Sequence, residues 1–294
     1  MKFKMTDMGD VSLMLGMQIT RDWEKKTLTI SQEYTKSILE RFGMANCKPV
    51  GTPGFGSEVS TKKLEKTLLS KEETQRYQAI KGSVMYLAHI LRYDIMYGSG
   101  QLARAMSRPT KVHMGAAKHL LRYLAGTTDI TIIYKEGGFK LAPFSDSNRS
   151  NNPDNAKSTS GYISMLSRAS VSFKPGVQSL TPMSTMEAEL VTSALAMKEA
   201  VFCSNMLTEL GFGKEFEQVP LHIDNTATLH VIGNRTFSSR TKHIALRFFY
   251  IHELVKENKI TTHYISTERQ LADIGTKRLN KHRLQQLLQM MKRF

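Results

Sequence analysis

Alternating apolar and polar residues mark the start of the chain. Two such runs, VSLMLGMQIT and KTLTIS, flank the polar segment RDWEKK between residues 11 and 31. This alternation predicts a β-hairpin. The next segment, SQEYTKSILERFGM, has apolar residues at helical spacing and predicts a helix that Ser31 caps and Gly43 ends. Proline and glycine at 48–57 then predict a linker.

The apolar period changes twice further along the chain. Residues 57–126 place apolar residues at i, i+3 and i+4, as in YQAIKGSVMYLAHIL and HMGAAKHLLRYLAG, which predicts helices. From residue 129, ITIIYK, EGG and FKLAPFS predict a second hairpin, and two short strands, a long helix at about 184–210 and further strand and helix patterns follow. This order predicts a mixed α/β sheet that helices cover.

Charge and composition narrow the class of protein. The 294 residues carry a formal net charge of +15, with 41 Lys and Arg against 26 Asp and Glu. Such an excess favours nucleic acid as a partner, although a basic enzyme of another kind has the same balance. The two cysteines, the absence of a signal-like N-terminus and the absence of a long apolar run predict an intracellular protein, cytoplasmic or nuclear, with no membrane contact.

Four acidic residues stand out within this basic chain: Asp146, Glu189, Asp224 and Asp273. Asp146 and Asp224 each end a predicted strand, although a helix N-cap is the common role for an Asp placed like Asp224. Glu187 fits the third position of a capping box that starts at Ser184, whereas Glu189 has apolar neighbours and no such role. Carboxylates on several elements suit Mg²⁺ or Mn²⁺, and two ions about 4 Å apart support phosphodiester hydrolysis.

The motifs FSDSN, KSTSGY, STMEAEL, IDNTATL, SRTKHI and HYISTERQLADIGTK resemble, in order and spacing, the ribonuclease H domain of Ty1/copia-type retrotransposon polyproteins. The resemblance implies a ribonuclease H-like α/β fold and cleavage of the RNA strand of RNA–DNA hybrids. It implies that two Mg²⁺ ions, or Mn²⁺ in their place, bind four carboxylates: Asp146, Glu189, Asp224 and Asp273.

Upstream segments such as MTDMGDVSLMLGMQI and YQAIKGSVMYLAHILRYDI resemble the end of a copia-type reverse transcriptase. The chain contains no Tyr-X-Asp-Asp, and Asp94 matches a helix start of the family, so we expect no polymerase activity. The expected partner protein is a polymerase domain in a parent polyprotein. The predicted units are a palm-like end, a helical thumb or connection, the ribonuclease H-like domain and a basic helix: 1–56, 57–128, 129–279 and 280–294.

Some positions depart from the family pattern. The family's Asp-Ala-Asp-Trp is Asp146–Ser147–Asn148–Arg149 here. A decayed or co-opted copy that binds nucleic acid without cutting it is therefore an alternative. An integrase or transposase is a second alternative, which the motif order disfavours.

Basic and polar residues near these motifs are candidates for contacts to the hybrid. Sequence-independent binding of this kind uses phosphates and 2′-hydroxyls rather than base edges. For Lys157 a strand start, and for Asn225 a helix cap, is the structural alternative. The predicted contacts are Lys157, Asn225, Arg240, Lys242, His243, Arg247 and Lys277.

Overall fold

A computed structural model gives the architecture, which consists of two β-sheets with helices between and around them. It describes the following residues: 6–56, 60, 67–137, 139–213, 216–234 and 245–293. None of the helices in these ranges is long and apolar enough to cross a membrane.

The first sheet contains the predicted N-terminal hairpin and a strand from much later in the chain. Its strands are β1 (Leu13–Met14), β2 (Met17–Asp22), β3 (Thr27–Ser31) and β4 (Ile132–Lys135). Their order is β1-β2-β3-β4, and every pair is antiparallel.

The predicted hairpin between β4 and the segment after it is wrong. β4 pairs with β3, with Ile30 opposite Ile132. The segment after it, β5 (Ala142–Asn148), instead has neighbours on both sides within the second sheet. Because both edges of β5 are hydrogen-bonded to other strands, β4 cannot pair with it and pairs with β3 instead. In this position the Ile132 side chain of β4 is buried against Leu91 and Ala169.

Four α-helices of the described residues lie between β3 and β4 in the chain: α1 (Tyr34–Arg41), α2 (Lys71–Ile90), α3 (Met96–Ala103) and α4 (Lys111–Ala125). Ser31 does not cap α1, because it is still the last residue of β3. Gly43 follows α1 with φ +66°, the left-handed conformation that commonly terminates a helix. The predicted apolar face of α4 is buried at Ala117, Leu120 and Leu121.

The second sheet is mixed, as predicted. It joins β5 to β6 (Thr159–Leu166), β7 (Ala169–Val177), β8 (Val219–Ile223) and β9 (Ile260–Tyr264), in the order β7-β6-β5-β8-β9. The pairs on the β7 side are antiparallel, and those on the β9 side are parallel. The helices of this half are α5 (Thr185–Leu207), α6 (Thr226–Asn234), α7 (Ala245–Lys256), α8 (Asp273–Thr276) and α9 (Lys281–Arg293).

Two large apolar clusters fill the space between these elements. One packs α5 and α7 against β8 and includes Leu190, Leu221 and Ile251. The other combines α1, α2 and α4 with β5, β6, α8 and α9. Leu287 of α9 is fully buried in it, so α9 packs into this cluster rather than lying free as a basic tail.

Candidate metal centre

Three acids converge at one end of the mixed sheet. Asp146 lies in β5, and Asp224 immediately follows β8. The two strands are adjacent and parallel, with Ser145 opposite Ile223, so the next residue on each is an Asp. Glu189 lies in the first turns of α5, which packs against both strands.

The geometry of these acids is that of a cation site. One carboxylate oxygen each from Asp146, Glu189 and Asp224 lies within 4.8 Å of the others. Asp146 is 1% exposed and Glu189 3%, while Asp224 is half-buried. Buried carboxylates this close repel one another, and a bound cation removes that cost.

Hydrogen bonds leave one oxygen of Glu189 available for such a cation. Its Oε1 accepts from the backbone N–H of Ser147 at 3.1 Å and from the Ser147 hydroxyl at 3.0 Å. Its Oε2 is buried and has no hydrogen-bond partner among the described residues. A buried acceptor without a donor is costly, and hard oxygen donors suit Mg²⁺ or Mn²⁺. The residues therefore fit a divalent ion.

Burial and the neighbouring charges also shift the pKa values of the Asp146 and Glu189 carboxyl groups. Burial raises the pKa of Asp146 to about 6, although the Lys277 ammonium opposes this rise. Burial, and then the charges of Asp146 and Asp224, raise the pKa of Glu189 well above its ordinary value. Both carboxyls thus take up protons more readily than a solvated acid does.

The structure separates Glu187 from Glu189 as predicted. The Ser184 hydroxyl accepts from the Glu187 N–H at 3.2 Å and caps α5. The carboxylate of Glu187 accepts from the backbone N–H of Met183 at 2.8 Å. Glu187 therefore holds the start of α5, and Glu189 is the residue that joins the cluster.

Asn225, and not Asp224, caps the helix that follows β8. The Asn225 Oδ1 accepts from the Thr228 N–H at 2.9 Å and from its hydroxyl at 3.1 Å. Asp224 Oδ2 accepts from the Thr267 hydroxyl at 3.1 Å. Asn225 is thus the residue that caps the helix, and its side-chain oxygen is used in doing so. The carboxylate of Asp224 is left for the cluster.

Asp273 is not one of the three acids whose oxygens lie within 4.8 Å of one another, and it is already paired. It begins α8, as the predicted helical position requires. Its Oδ1 is 2.6 Å from Lys277 Nζ, and its Oδ2 is 3.1 Å from an Arg283 nitrogen. Lys277 Nζ also lies 3.0 Å from Asp146 Oδ1. The ammonium predicted to contact phosphate therefore bridges two of the predicted metal ligands.

Gly161 allows α8 to lie beside Asp146. It pairs with Asp146 across β5 and β6. A Cβ at this position would lie 2.5 Å from Thr276 Cγ2 and 3.5 Å from the Ala272 carbonyl oxygen. Thr276 in turn donates from its hydroxyl to Asp146. Sequence reasoning missed this contact, although Gly161 belongs to the KSTSGY motif.

The other predicted nucleic-acid contacts are only partly described. Lys157 lies half-buried in the loop before β6, and its N–H donates to the Asn155 side chain at 3.0 Å. Arg247 lies half-buried in the first turn of α7. Arg240, Lys242 and His243 lie outside the described residues. These assignments stay predictions.

Known proteins resemble the chain over nearly its whole length. The retrovirus-related Pol polyprotein from transposon TNT 1-94 of Nicotiana tabacum is 33% identical over 279 residues, 94% of this chain and 21% of the relative. The Pol polyprotein from transposon RE2 of Arabidopsis thaliana is 34% identical over 282 residues, 95% of this chain and 19% of the relative. The chain therefore spans about a fifth of these relatives.

A shorter relative matches along most of its own length. An uncharacterised mitochondrial protein of Arabidopsis thaliana is 30% identical over 207 residues, 69% of this chain and 82% of that protein. No protein-family model matches the chain.

Solved structures match the chain at low identity. A foamy viral protease-reverse transcriptase in complex with dsDNA has a TM-score of 0.50 and 13% identity, and the match covers 87% of this chain and 44% of that one. Ribonuclease H1 from Halobacterium salinarum has a TM-score of 0.35 and 10% identity, with 45% of this chain and 90% of that one covered. The predicted α/β class with a mixed sheet is confirmed.

Proposed function

Because this chain belongs to the copia-type retrotransposon Pol polyproteins, we propose that it carries their ribonuclease H-like domain and hydrolyses the RNA strand of RNA–DNA hybrids. One observation carries the proposal: Asp146, Glu189 and Asp224 bring carboxylate oxygens within 4.8 Å of one another. The net charge of +15 suits a polyanionic substrate. Polymerase activity is not proposed, since the chain lacks Tyr-X-Asp-Asp.

The residues of the site have separate tasks in this proposal. Asp146, Glu189 and Asp224 would hold divalent metal, Mg²⁺ or Mn²⁺, and Asp273 would complete the ligand set of a second ion. Metal of this kind lowers the pKa of bound water and stabilises the charge on attacking and leaving oxygens. Ser147 holds Glu189 in place through two hydrogen bonds.

Binding of the hybrid would depend on basic and polar groups around the cluster. Contacts to phosphates and 2′-hydroxyls fit an enzyme that cuts without base readout. Lys157 and Arg247 are the described cations proposed for this role, and Arg240, Lys242 and His243 remain proposals from the sequence. Within the relatives' full length, a polymerase domain is the proposed partner.

The decisive experiment measures cleavage of an end-labelled RNA–DNA hybrid with and without Mg²⁺. We expect cleavage by the natural chain and a loss of at least about a hundredfold in Asp224→Asn, because the substitution removes one ligand charge. Glu187→Gln is the matched control, since the Glu187 carboxylate lies nearby but accepts from the backbone N–H of Met183 at the start of α5. It should retain cleavage.

The same assay tests the non-enzymatic alternative. The paired state of Asp273, which contacts both Lys277 and Arg283, is the observation that favours a binding remnant. If a folded chain binds the hybrid but does not cut it in Mg²⁺ or Mn²⁺, binding replaces hydrolysis as the function. Equal cleavage by Asp224→Asn and the natural chain would instead refute the three-carboxylate site.

A further inference from the structure

Lys277 fills the space between the fourth acid and the three-carboxylate cluster. Its ammonium nitrogen lies 3.0 Å from Asp146 Oδ1 and 2.6 Å from Asp273 Oδ1. The partner carboxylates are almost fully buried, at 2% and 4% exposure, while the Lys277 side chain is 33% exposed. The spacing of four residues between Asp273 and Lys277 places both on one face of the short helix α8 and its end.

The four predicted ligands form two groups that share Asp146. Asp273 and Asp146 form one group, and Glu189, Asp224 and Asp146 form the other. Both oxygens of Asp273 have cationic partners, since Arg283 contacts Oδ2 at 3.1 Å. Arg283 also donates to the carbonyl oxygens of Glu268 and Thr267, so it ties Asp273 to the loop before α8. In the group with Glu189 and Asp224, the buried Glu189 Oε2 has no hydrogen-bond partner among the described residues. That group can therefore accept a cation, whereas the group with Asp273 already contains the Lys277 ammonium.

We propose that Lys277 is a built-in competitor for the second metal ion. In the protein without nucleic acid, the ammonium lies between Asp146 and Asp273 and pairs with both, so the site accepts one divalent ion at Asp146, Glu189 and Asp224. A second ion binds only after Lys277 has left. This inference rests on the proposed function and assigns the order in which its metal site fills.

Electrostatics explains why such a competitor matters. Two buried carboxylates without a counter-charge carry a large desolvation cost, and an ion pair offsets it. Lys277 supplies one positive charge from within the chain and Arg283, at Asp273 Oδ2, supplies a second, so the charges of Asp146 and Asp273 are balanced before any metal binds. A second divalent ion must therefore displace a bound cation rather than enter a vacant anionic pair. The long lysine stem is one-third exposed and can turn towards solvent.

Counting bound ions tests the proposal without relying on activity. Mn²⁺ titrations of the full chain without nucleic acid, followed by electron paramagnetic resonance, give the number of bound ions. We expect one ion for the natural chain and two for Lys277→Gln, with the second ion binding at least about tenfold more tightly than in the natural chain. Glutamine keeps a hydrogen-bond donor but no charge. Lys256→Gln, at an exposed lysine in α7, is the matched control and should bind one ion.

A measurement on the natural chain covers the case in which Lys277→Gln does not fold. Reductive methylation, quantified by mass spectrometry, reports how accessible each lysine amine is. We expect Lys277 to be methylated slowly at Mn²⁺ concentrations that saturate only the first ion site. It should be methylated faster at concentrations at which a second ion binds. Lys256 serves as the internal reference, with a rate independent of Mn²⁺. An unchanged Lys277 rate while a second ion binds would overturn the proposal.

The outcomes separate this inference from the function on which it rests. If the natural chain and Lys277→Gln bind the same number of ions, one or two, Lys277 is not a competitor and the metal site stands. If neither binds Mn²⁺, the proposed function fails together with the inference. One ion in the natural chain and two in the variant supports both.

Discussion

Two glutamates that lie two residues apart on α5 have different environments. Glu187 accepts from a backbone N–H at the helix start, so its charge has a donor. Glu189 lies one half-turn further on, beside Asp146 and Asp224, and its Oε2 has no donor among the described residues. A difference of two positions on the helix thus separates a carboxylate held by a backbone N–H at the helix start from a carboxylate that fits a cation.

The raised pKa of Glu189 predicts a pH-dependent cost to stability. Its folded pKa lies above the unfolded value, so its contribution is favourable at low pH and is lost as pH rises through the folded pKa. Without metal at pH 7, Glu189→Gln should therefore raise the free energy of unfolding, because glutamine carries no charge at this position. Urea unfolding at pH 7 and at pH 4 measures this gain, which should shrink at pH 4.

Added Mg²⁺ supplies the control for this prediction. It should stabilise the natural chain, because ligand binding favours the folded state. It should stabilise Glu189→Gln less, because a carboxylate ligand is gone. A variant that is less stable than the natural chain at pH 7 without metal would contradict the account of Glu189.

At the scale of elements, β6 and α8 can approach each other closely because residue 161 is a glycine and has no side chain. Gly161→Ala would place a Cβ against Thr276 and force α8 away from Asp146. Overpacking of this kind costs about 1–3 kcal/mol. Thermal unfolding should show that loss, and hybrid cleavage should fall with it.

Gly82→Ala in α2 is the matched control for Gly161→Ala. Among the residues that the structure describes, nothing lies within 4 Å of a Cβ added at Gly82, and the position is exposed on a helix. Alanine should therefore stabilise the chain by about 0.5–1 kcal/mol through its higher helix propensity. Equal effects of the two substitutions would show that the close approach at Gly161 has no energetic role.

Local patterns predicted the elements better than their partners. The apolar faces of α2 and α4 and the long α5 follow from spacing along the chain, whereas the strand predicted to end at Asp146 continues to Asn148. The pairing of β4 with β3 does not follow from spacing, because it joins segments on either side of four helices. The ion pair of Lys277 with Asp146 is equally non-local, so the sequence favoured a phosphate contact for this lysine.

At the scale of the whole molecule, one apolar cluster joins the helical region to the mixed sheet. Leu287 of α9 lies in the same cluster as Leu120 of α4 and Phe144 of β5. A shared core of this kind couples the stability of its parts. The residues before and after the predicted boundary near residue 128 should therefore unfold together, in one transition rather than two.

Truncation of a buried leucine tests this coupling. Leu287→Ala should lower the free energy of unfolding by about 2–5 kcal/mol, because it leaves a cavity in the shared cluster. Circular dichroism and tyrosine fluorescence should report one coincident transition. Leu246→Ala, at a position that is 87% exposed, should change stability by less than about 0.5 kcal/mol. Two separate transitions would contradict a single cooperative unit.

The pairing of β3 with β4 also has a consequence for the time course of folding. Thr29 lies opposite Ile133, so the ladder closes a loop of about a hundred residues, at an entropic cost that local contacts do not have. The hairpin of β2 and β3 and the helices α2 and α4 can form early, from contacts close in sequence. Until β4 arrives, the outer edge of β3 exposes unpaired backbone groups to other chains. A slow refolding phase should therefore coincide with concentration-dependent aggregation.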